Sequence, residues 1–270
     1  MGMDRREFIR ISGLAALLGI GGKGAFELLR PGQVEAALEG EAKALTAKRW
    51  AMVVNMKKLD EATAQKCIEA CDRAHNIPDF KNPVNPKDKL DPDVAQRDEI
   101  KWIWTDHFHN AFPGDDHPVM PEKIQHLAFL LLCNHCNNPP CVRVCPTKAT
   151  FQRDDGIVNM DMHRCIGCRF CMAGCPYGAR SFNWRDPRPF IKDQNPAYPT
   201  REAGVVEKCT FCAERLAQGL MPACVEASSG AMVFGDLNDE KSEVRVTLQK
   251  NYSIRRKVYL GTNPQVYYIV

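Results

Sequence analysis

The sequence lacks an apolar run long enough to cross a membrane, and it lacks the Cys-x-x-Cys-His motif of covalently attached haem. The apolar stretch at residues 11–20 is well short of the roughly 20 residues that a membrane helix needs. Lysine and arginine are scattered, and the formal net charge is only +3. We therefore expect no haem on this chain, no nucleic-acid partner, and membrane association only through partner subunits.

Thirteen cysteines among 270 residues are the informative feature. They recur at two- and three-residue spacings, and prolines follow two of them. A disulfide framework gives no reason for such regular spacings, whereas iron-sulfur ligation does. A disulfide or structural zinc protein stays as an alternative, and it would be colourless.

The N-terminal segment has the features of an export signal. Residues 4–10, Asp-Arg-Arg-Glu-Phe-Ile-Arg, resemble a twin-arginine motif, and the apolar stretch follows directly. A plausible cleavage point lies after Ala36, so we expect residues 1–36 to be a twin-arginine signal segment. This predicts the outer, periplasmic or equivalent, face of the cytoplasmic membrane. A basic N-terminal helix is the alternative.

Two neighbouring cysteine runs have the spacing of bacterial ferredoxins. They read Cys133-x2-Cys136-x4-Cys141-x3-Cys145-Pro146 and Cys165-x2-Cys168-x2-Cys171-x3-Cys175-Pro176. Three closely spaced thiolates surround one face of a cubane, and the x3 step directs the fourth toward a second cubane. Exchange of the fourth cysteines predicts two sets of 4Fe-4S ligands. The first set is Cys133, Cys136, Cys141 and Cys175; the second set is Cys145, Cys165, Cys168 and Cys171.

An internal repeat accounts for the remaining five cysteines. Residues 158–160, Val-Asn-Met, recur at 54–56, and an ungapped alignment places Cys165, Cys168, Cys171 and Cys175 on Glu61, Ala64, Cys67 and Cys71. The last group, Cys209-x2-Cys212-x11-Cys224, has Ser228 where a fourth cysteine is expected. The exchange rule then gives a third set, Cys71, Cys209, Cys212 and Cys224.

All the missing ligands belong to one site, which predicts three 4Fe-4S clusters and a leftover, buried Cys67. A fourth cluster with Glu61 or Ser228 as a ligand is the rival interpretation. Because electron tunnelling falls steeply with distance, we expect the vacated position to lie at one end of the row.

The expected fold is α+β, with two intertwined ferredoxin-like modules related by pseudo-twofold symmetry, loop insertions and a C-terminal strand tail. Strands are predicted at residues 51–56, 244–248 and 266–270, and a helix at 61–74. Three histidines, His107, His109 and His117, are interpreted as polar surface, although a metal role stays open. The predicted segments are an outer module (48–75 with 200–243), an insertion (76–130), an inner module (131–185), a loop (186–199) and a tail, either a capping hairpin or a docking strand (244–270).

The motifs from Leu132 through Arg180, and again at Lys208–Cys212, resemble the four-cluster ferredoxin-type subunits of molybdopterin oxidoreductases and of polysulfide, tetrathionate and nitrite reductase complexes. The resemblance spans residues 48–270 and implies an electron-transfer subunit without its own substrate site. The missing cluster and the export signal resemble an exported branch associated with dissimilatory sulfite reduction. That branch implies a quinone-interacting membrane subunit and a multihaem cytochrome subunit as partners. The electron-transfer subunit of a molybdopterin oxidoreductase is the alternative, and an iron-sulfur enzyme is disfavoured because a C-x3-C-x2-C radical motif is absent.

Overall fold

A computed structural model describes residues 44–114, 119, 121–125 and 127–270. The predicted signal segment, residues 1–36, and His117 lie outside the described residues. Among the residues that are described, no helix is both long and apolar enough to cross a bilayer.

The described residues form a mixture of short strands and helices, as the α+β expectation requires. The strands are β1 (Trp50–Asn55), β2 (Ile103–His107), β3 (Ala128–Leu132), β4 (Thr150–Gln152), β5 (Val158–Met160), β6 (Ser181–Phe182), β7 (Val206–Glu207), β8 (Met232–Asp236), β9 (Ser253–Ile254) and β10 (Val266–Ile269). The helices are α1 (Glu61–His75), α2 (Pro92–Arg97), α3 (Phe108–Ala111), α4 (Glu122–Gln125), α5 (Pro140–Arg143), α6 (Phe170–Ala173), α7 (Ala213–Ala217), α8 (Ala223–Ala227) and α9 (Glu243–Lys250).

The largest sheet has the strand order β8-β1-β10-β9. Strand β1 pairs antiparallel with β8, with Val53 opposite Val233, and parallel with β10, with Val53 opposite Tyr267. The apolar residues of β1 are almost completely buried, so this strand lies in the core of the domain.

The long helix α1 contains both cysteines of its segment, as the sequence predicts. It begins after Asp60, whose carboxylate accepts a hydrogen bond from the Thr63 amide at 2.7 Å, and it ends at Asn76 with φ 55°. Its buried face includes Cys67 and Cys71 and packs against α8.

Two parts of the fold share one construction. In one, the hairpin β4–β5 is accompanied by the packed helices α5 and α6; in the other, the pair β1–β8 is accompanied by α1 and α8. The second pairing joins segments that are far apart in the sequence. The intertwining and the pseudo-twofold relation of two modules stay predictions.

The predicted insertion contains a strand. Strand β2 pairs antiparallel with β3, with Trp104 opposite Leu131, and the preceding Trp102 is fully buried. Because β3 spans residues 128–132, this ladder crosses the boundary expected at residue 130.

The prediction for the C-terminal tail is only partly right. Residues 266–270 supply β10 as expected, but residues 244–248 belong to helix α9, so the strand predicted there is wrong. Strand β10 is also neither half of a hairpin with that segment nor a free docking strand, because it lies between β1 and β9 inside the sheet.

Candidate metal centres

Three Cys-x-x-Cys loops share an unusual backbone conformation. The residue before the second cysteine has a positive φ in each: His135 (39°), Gly167 (68°) and Phe211 (54°). Positive φ is rare for bulky residues and indicates a local constraint. At Gly167 the constraint is explicit, because a Cβ would lie 2.4 Å from the Gly204 carbonyl oxygen. The Phe211 amide donates to Cys209 Sγ at 3.5 Å, so the loop directs an N–H group toward a thiolate.

The first cysteine set lines a single cavity. Its four thiols come from the loop after β3, from α5 and from the segment after α6, and Asn134, Tyr177 and Arg180 are among the other lining residues. Burial, followed by the charge of the Cys133 thiolate, raises the pKa of Cys136 to about 12. The Cys136 thiol therefore becomes a thiolate only when a cation replaces its proton.

The second cysteine set lines another cavity, together with Thr147, Thr150 and Met160. Although burial raises the pKa of Cys145, hydrogen bonds from the Thr150 amide, at 3.5 Å, and from the Thr147 hydroxyl bring it below its ordinary value. Cys168 is exposed, and it is the only exposed one of the thirteen cysteines, all of which lie among the described residues.

The third cysteine set is buried throughout. Burial raises the pKa of Cys71 well above its ordinary value, and the nearby thiolates of Cys209, Cys212 and Cys224 raise it further. The structure thus brings Cys71, from α1, close to three cysteines that are more than a hundred residues away in the sequence. The exchange rule groups the same four cysteines, and their role as ligands of one cluster stays a prediction.

Thiolates of the first set lie close enough to the other two sets to influence their pKa values. Next to burial, the largest cause that raises the pKa of Cys209 is Cys133 of the first set, and among the causes for Cys171 is Cys141 of that same set. Cys67, in turn, contributes to the raised pKa of Cys224. Cys133 therefore lies near the third set, Cys141 near the second and Cys67 near Cys224. The expected place of the vacated position at one end of a row stays a prediction.

The residues predicted to have lost a ligand lie in regular structure or next to it. Residues 61, 64 and 67 lie on helix α1, with Glu61 exposed and Ala64 buried, and the Cys67 thiol donates to the Cys224 carbonyl oxygen at 3.3 Å. Burial raises the pKa of Cys67 to about 11.

Ser228 has a structural role. Its hydroxyl donates to Val225 O at 2.7 Å and accepts from the Met232 amide at 3.0 Å. It thereby accepts the kind of backbone hydrogen bond that Cys145 accepts from Thr150. The rival interpretation, in which Glu61 or Ser228 binds iron, gains no support from these contacts.

Two buried cations lie beside the cysteine sets without a carboxylate partner in the described part of the chain. Arg180 donates to Thr150 Oγ1 at 3.1 Å; burial lowers its pKa, but the thiolates of Cys141 and Cys171 more than compensate. Lys208 donates to the carbonyl oxygens of Val158 and, at 2.7 Å, of Cys209. An unpaired buried charge is costly, so negative charge at the cysteine sets explains both residues.

Sequence reasoning missed a polar group beside the third set. His75 Nδ1 lies 2.9 Å from Cys71 O and 3.6 Å from Cys71 Sγ, and His75 Nε2 lies 2.8 Å from Glu214. His75 and Glu214, together with Cys212 of the third set, form a metal-compatible group among the described residues. The signal was available, because Cys71 and His75 are four residues apart and therefore share a helix face.

The histidines of the insertion do not form such a group. His107 and His109 are exposed, and their rings lie 6.5 Å apart in nearly parallel planes. Neither belongs to a metal-compatible cluster among the described residues, and His117 is outside them.

The thiols fit iron-sulfur ligation. All thirteen cysteines are free, so the disulfide alternative is not supported. Two cavities each have four thiols on their walls; the buried Arg180 lines the first, and in the second the Thr150 amide donates to Cys145 Sγ, which suits the anionic charge of a cubane. The assignment of individual ligands stays a prediction.

Comparisons with known proteins agree with this chemistry. Residues 124–188 match the family model described as a 4Fe-4S dicluster domain. The chain is 38% identical to the Hdr-like menaquinol oxidoreductase iron-sulfur subunit 1 of Archaeoglobus fulgidus, over 98% of this chain and 97% of that protein. It is 34% identical to the menaquinone reductase, iron-sulfur cluster-binding subunit, of Nitratidesulfovibrio vulgaris, over 82% and 88%.

A shorter match extends the same relationship. A polysulfide reductase component of Wolinella succinogenes is 40% identical over 51% of this chain and 64% of that protein. The family resemblance expected from the sequence is thereby confirmed. The protein belongs to the family of ferredoxin-type iron-sulfur subunits that transfer electrons within oxidoreductase complexes and have no catalytic site of their own.

Proposed function

We propose that this protein binds three 4Fe-4S clusters, one on each cysteine set, and relays electrons within a membrane-bound respiratory complex. The observation that supports this most directly is the grouping of twelve thiols in three adjacent sets, two of which line cavities. The bound clusters supply one-electron exchange without bond chemistry, since the protein provides all four ligands of each.

The chain's own residues exclude solvent from the cysteine sets and influence the reduction potentials of the clusters. The third and first sets are buried apart from Cys175, which is half-buried, so solvent is largely excluded from them. Arg180 places positive charge beside the first set and Lys208 beside Cys209 of the third, where it favours the reduced state. The repeated construction of the two helix and strand pairs supports a pseudo-twofold relation between the modules.

The partners follow from the family. We infer a quinone-interacting membrane subunit and a multihaem cytochrome subunit, as in the sulfite-linked complex whose iron-sulfur subunit is DsrO. The menaquinol oxidoreductase and menaquinone reductase names of two relatives support the quinone side of this proposal. From residues 4–20 we also propose that the protein is exported by the twin-arginine pathway to the outer face of the membrane.

A second candidate is the electron-transfer subunit of a molybdopterin reductase complex. It is favoured by relatives named as reductase subunits, such as a tetrathionate reductase subunit of Salmonella typhimurium, 41% identical over 55% of this chain. Co-purification with molybdenum would select this candidate, whereas a multihaem cytochrome in the complex would select the first.

The first test is the iron and acid-labile sulfide content of the anaerobically purified chain. We expect about twelve of each per chain. About sixteen would show that a fourth cluster has found ligands, and bound zinc with little iron would refute the proposal.

A further inference from the structure

The only exposed cysteine lies within an exposed apolar patch. Around Cys168, Ile166 is 67% exposed, Phe170 59%, Trp184 50% and Val144 39%. Isolated apolar residues on a surface need no explanation, but a contiguous patch is typical of an interaction site.

These residues form one surface. Ile166 and Arg169 line the same cavity as Cys168, and the Arg169 guanidinium lies 4.7 Å from the centre of the Trp184 ring. A Cβ at Gly174 would lie 3.1 Å from Val144 and 3.2 Å from the Phe170 carbonyl oxygen, which brings these two residues to the same edge. We call this surface the Cys168 face, defined by Val144, Ile166, Cys168, Phe170 and Trp184.

Three cations are sequence neighbours of residues at the Cys168 face: Arg143 precedes Val144, Arg169 follows Cys168, and Lys148 follows Thr147, which lines the same cavity as Cys168. Arg143, Lys148 and Arg169 are exposed, and none has an ion-pair partner among the residues that the structure describes. The nearby carboxylate of Asp161 is paired with Arg164 at 3.2 Å. An apolar centre with an unpaired cationic rim complements a protein surface with an apolar centre and an acidic rim.

On the basis of the proposed function, we propose that the Cys168 face is the docking surface for an acidic redox protein, which exchanges electrons with the second cysteine set. In each event one electron leaves a reduced centre on one side and reduces an oxidised centre on the other, and no bond changes. A protein occupant is favoured over an anionic lipid surface, because the exposed ligand Cys168 lies at the centre of the patch and a lipid has no redox centre.

The first experiment uses small redox probes to measure how charge at the Cys168 face changes the rate of electron transfer. The dithionite-reduced full chain is oxidised in a stopped-flow instrument by hexacyanoferrate(III), an anion, or by hexaammineruthenium(III), a cation. The double variant Arg143→Glu with Lys148→Glu should slow the anionic probe about tenfold and accelerate the cationic one. The matched control, Lys87→Glu with Lys250→Glu, changes the net charge equally and should leave both rates near those of the unmodified chain. Equal changes in the oxidation rates of the two double variants would overturn the proposal.

The second experiment uses the assembled membrane complex. A carbodiimide should link Lys148 to an aspartate or glutamate of another subunit, and Lys148→Arg should remove that link because a guanidinium does not react. Phe170→Asp should release the partner subunit at unchanged iron content, whereas Tyr252→Asp, at a residue 78% exposed elsewhere, should not.

The outcomes separate the two proposals. Lack of iron in the chain would refute the proposed function, whereas full iron with no link from Lys148 would refute only the docking surface. Binding to phosphatidylglycerol vesicles that depends on Arg143, Lys148 and Phe170 would assign the Cys168 face to a membrane surface and overturn the protein occupant.

Discussion

Replacement of Arg180 by methionine should lower the reduction potential of the clusters on the first and second cysteine sets. Arg180 is 5% exposed and has no carboxylate partner in the described part of the chain, and the thiolates of Cys141 and Cys171 act on its pKa. Its charge therefore lies between the two sets. An added electron makes a cluster more negative, so loss of the neighbouring cation disfavours reduction.

The magnitude follows from Coulomb's law. At a separation of about 8 Å and an effective dielectric constant of about 20, one unit charge contributes about 2 kcal/mol, which corresponds to a potential change on the order of 90 mV. The cluster on the third set should change much less, because the thiolates that act most on the pKa of Arg180 belong to the first and second sets.

The assay is a potentiometric titration followed by electron paramagnetic resonance on anaerobically purified protein. Arg180→Lys keeps the charge and should keep most of the potential, which separates electrostatics from packing. Variants are compared only at equal iron content. A shift in Arg180→Met below a quarter of the expected value, or an equal shift for all three clusters, would refute this account of Arg180.

Three further changes test other parts of the structure. Cys67→Ser should leave the iron content unchanged, whereas Cys71→Ser should remove about four iron atoms per chain; equal losses would contradict the ligand assignment. Arg201→Met should destabilise the fold by about 3–5 kcal/mol, because it leaves Glu207, paired at 2.7 Å and fully buried, without a countercharge. Adding Glu207→Gln should restore most of the lost free energy of unfolding, as measured by denaturant titration. No recovery would show that lost packing, and not the unpaired charge, causes the destabilisation. Removal of iron by an oxidant with a chelator should abolish the near-ultraviolet circular dichroism, and a retained spectrum would show that the fold does not need metal.

The cysteine grouping could be predicted because the information is local. A two-residue spacer fixes a tight loop, and a three-residue spacer fixes the direction of the next thiol, as for Cys171 on α6 and Cys175 just after its end. The third set needed one further rule, the exchange of fourth cysteines, which places Cys71 beside Cys209. The structure has this grouping, although no cluster ligand is thereby established.

In the C-terminal tail, the local sequence pattern predicts the wrong secondary structure for residues 244–248. Residues 244–248 alternate in the manner of a strand, but Val244 and Leu248 are four residues apart and pack in the same small apolar cluster. The Ser242 hydroxyl accepts a hydrogen bond from the Arg245 amide at 3.3 Å and begins helix α9. Packing of one face against β1 and β8 therefore outweighs the strand propensity of the valines.

The burial of the charged side chains of Arg180 and Lys208 could not be predicted from the sequence either. Nothing in the residues around Arg180 or Lys208 indicates that the structure encloses them without a carboxylate. Their surroundings come from segments distant in the chain, such as Val158, whose carbonyl oxygen accepts from Lys208.

Restoring cysteines at the vacated position should not by itself restore a fourth cluster. In the three binding loops the residue before the second cysteine has a positive φ, and the aligned residue here is Thr63, whose β-branched side chain disfavours that conformation. The Thr63 amide is also held by the Asp60 carboxylate at the start of α1.

The variant Glu61→Cys, Ala64→Cys and Ser228→Cys should therefore keep about twelve iron atoms per chain, since residues 61 and 64 remain on a helix. Addition of Thr63→Gly and Asp60→Ala removes the side-chain barrier and the helix cap, and should raise the iron content toward about sixteen. If the variant with only the three added cysteines also bound about sixteen iron atoms, helix α1 would not be the reason that no cluster binds at residues 61–67.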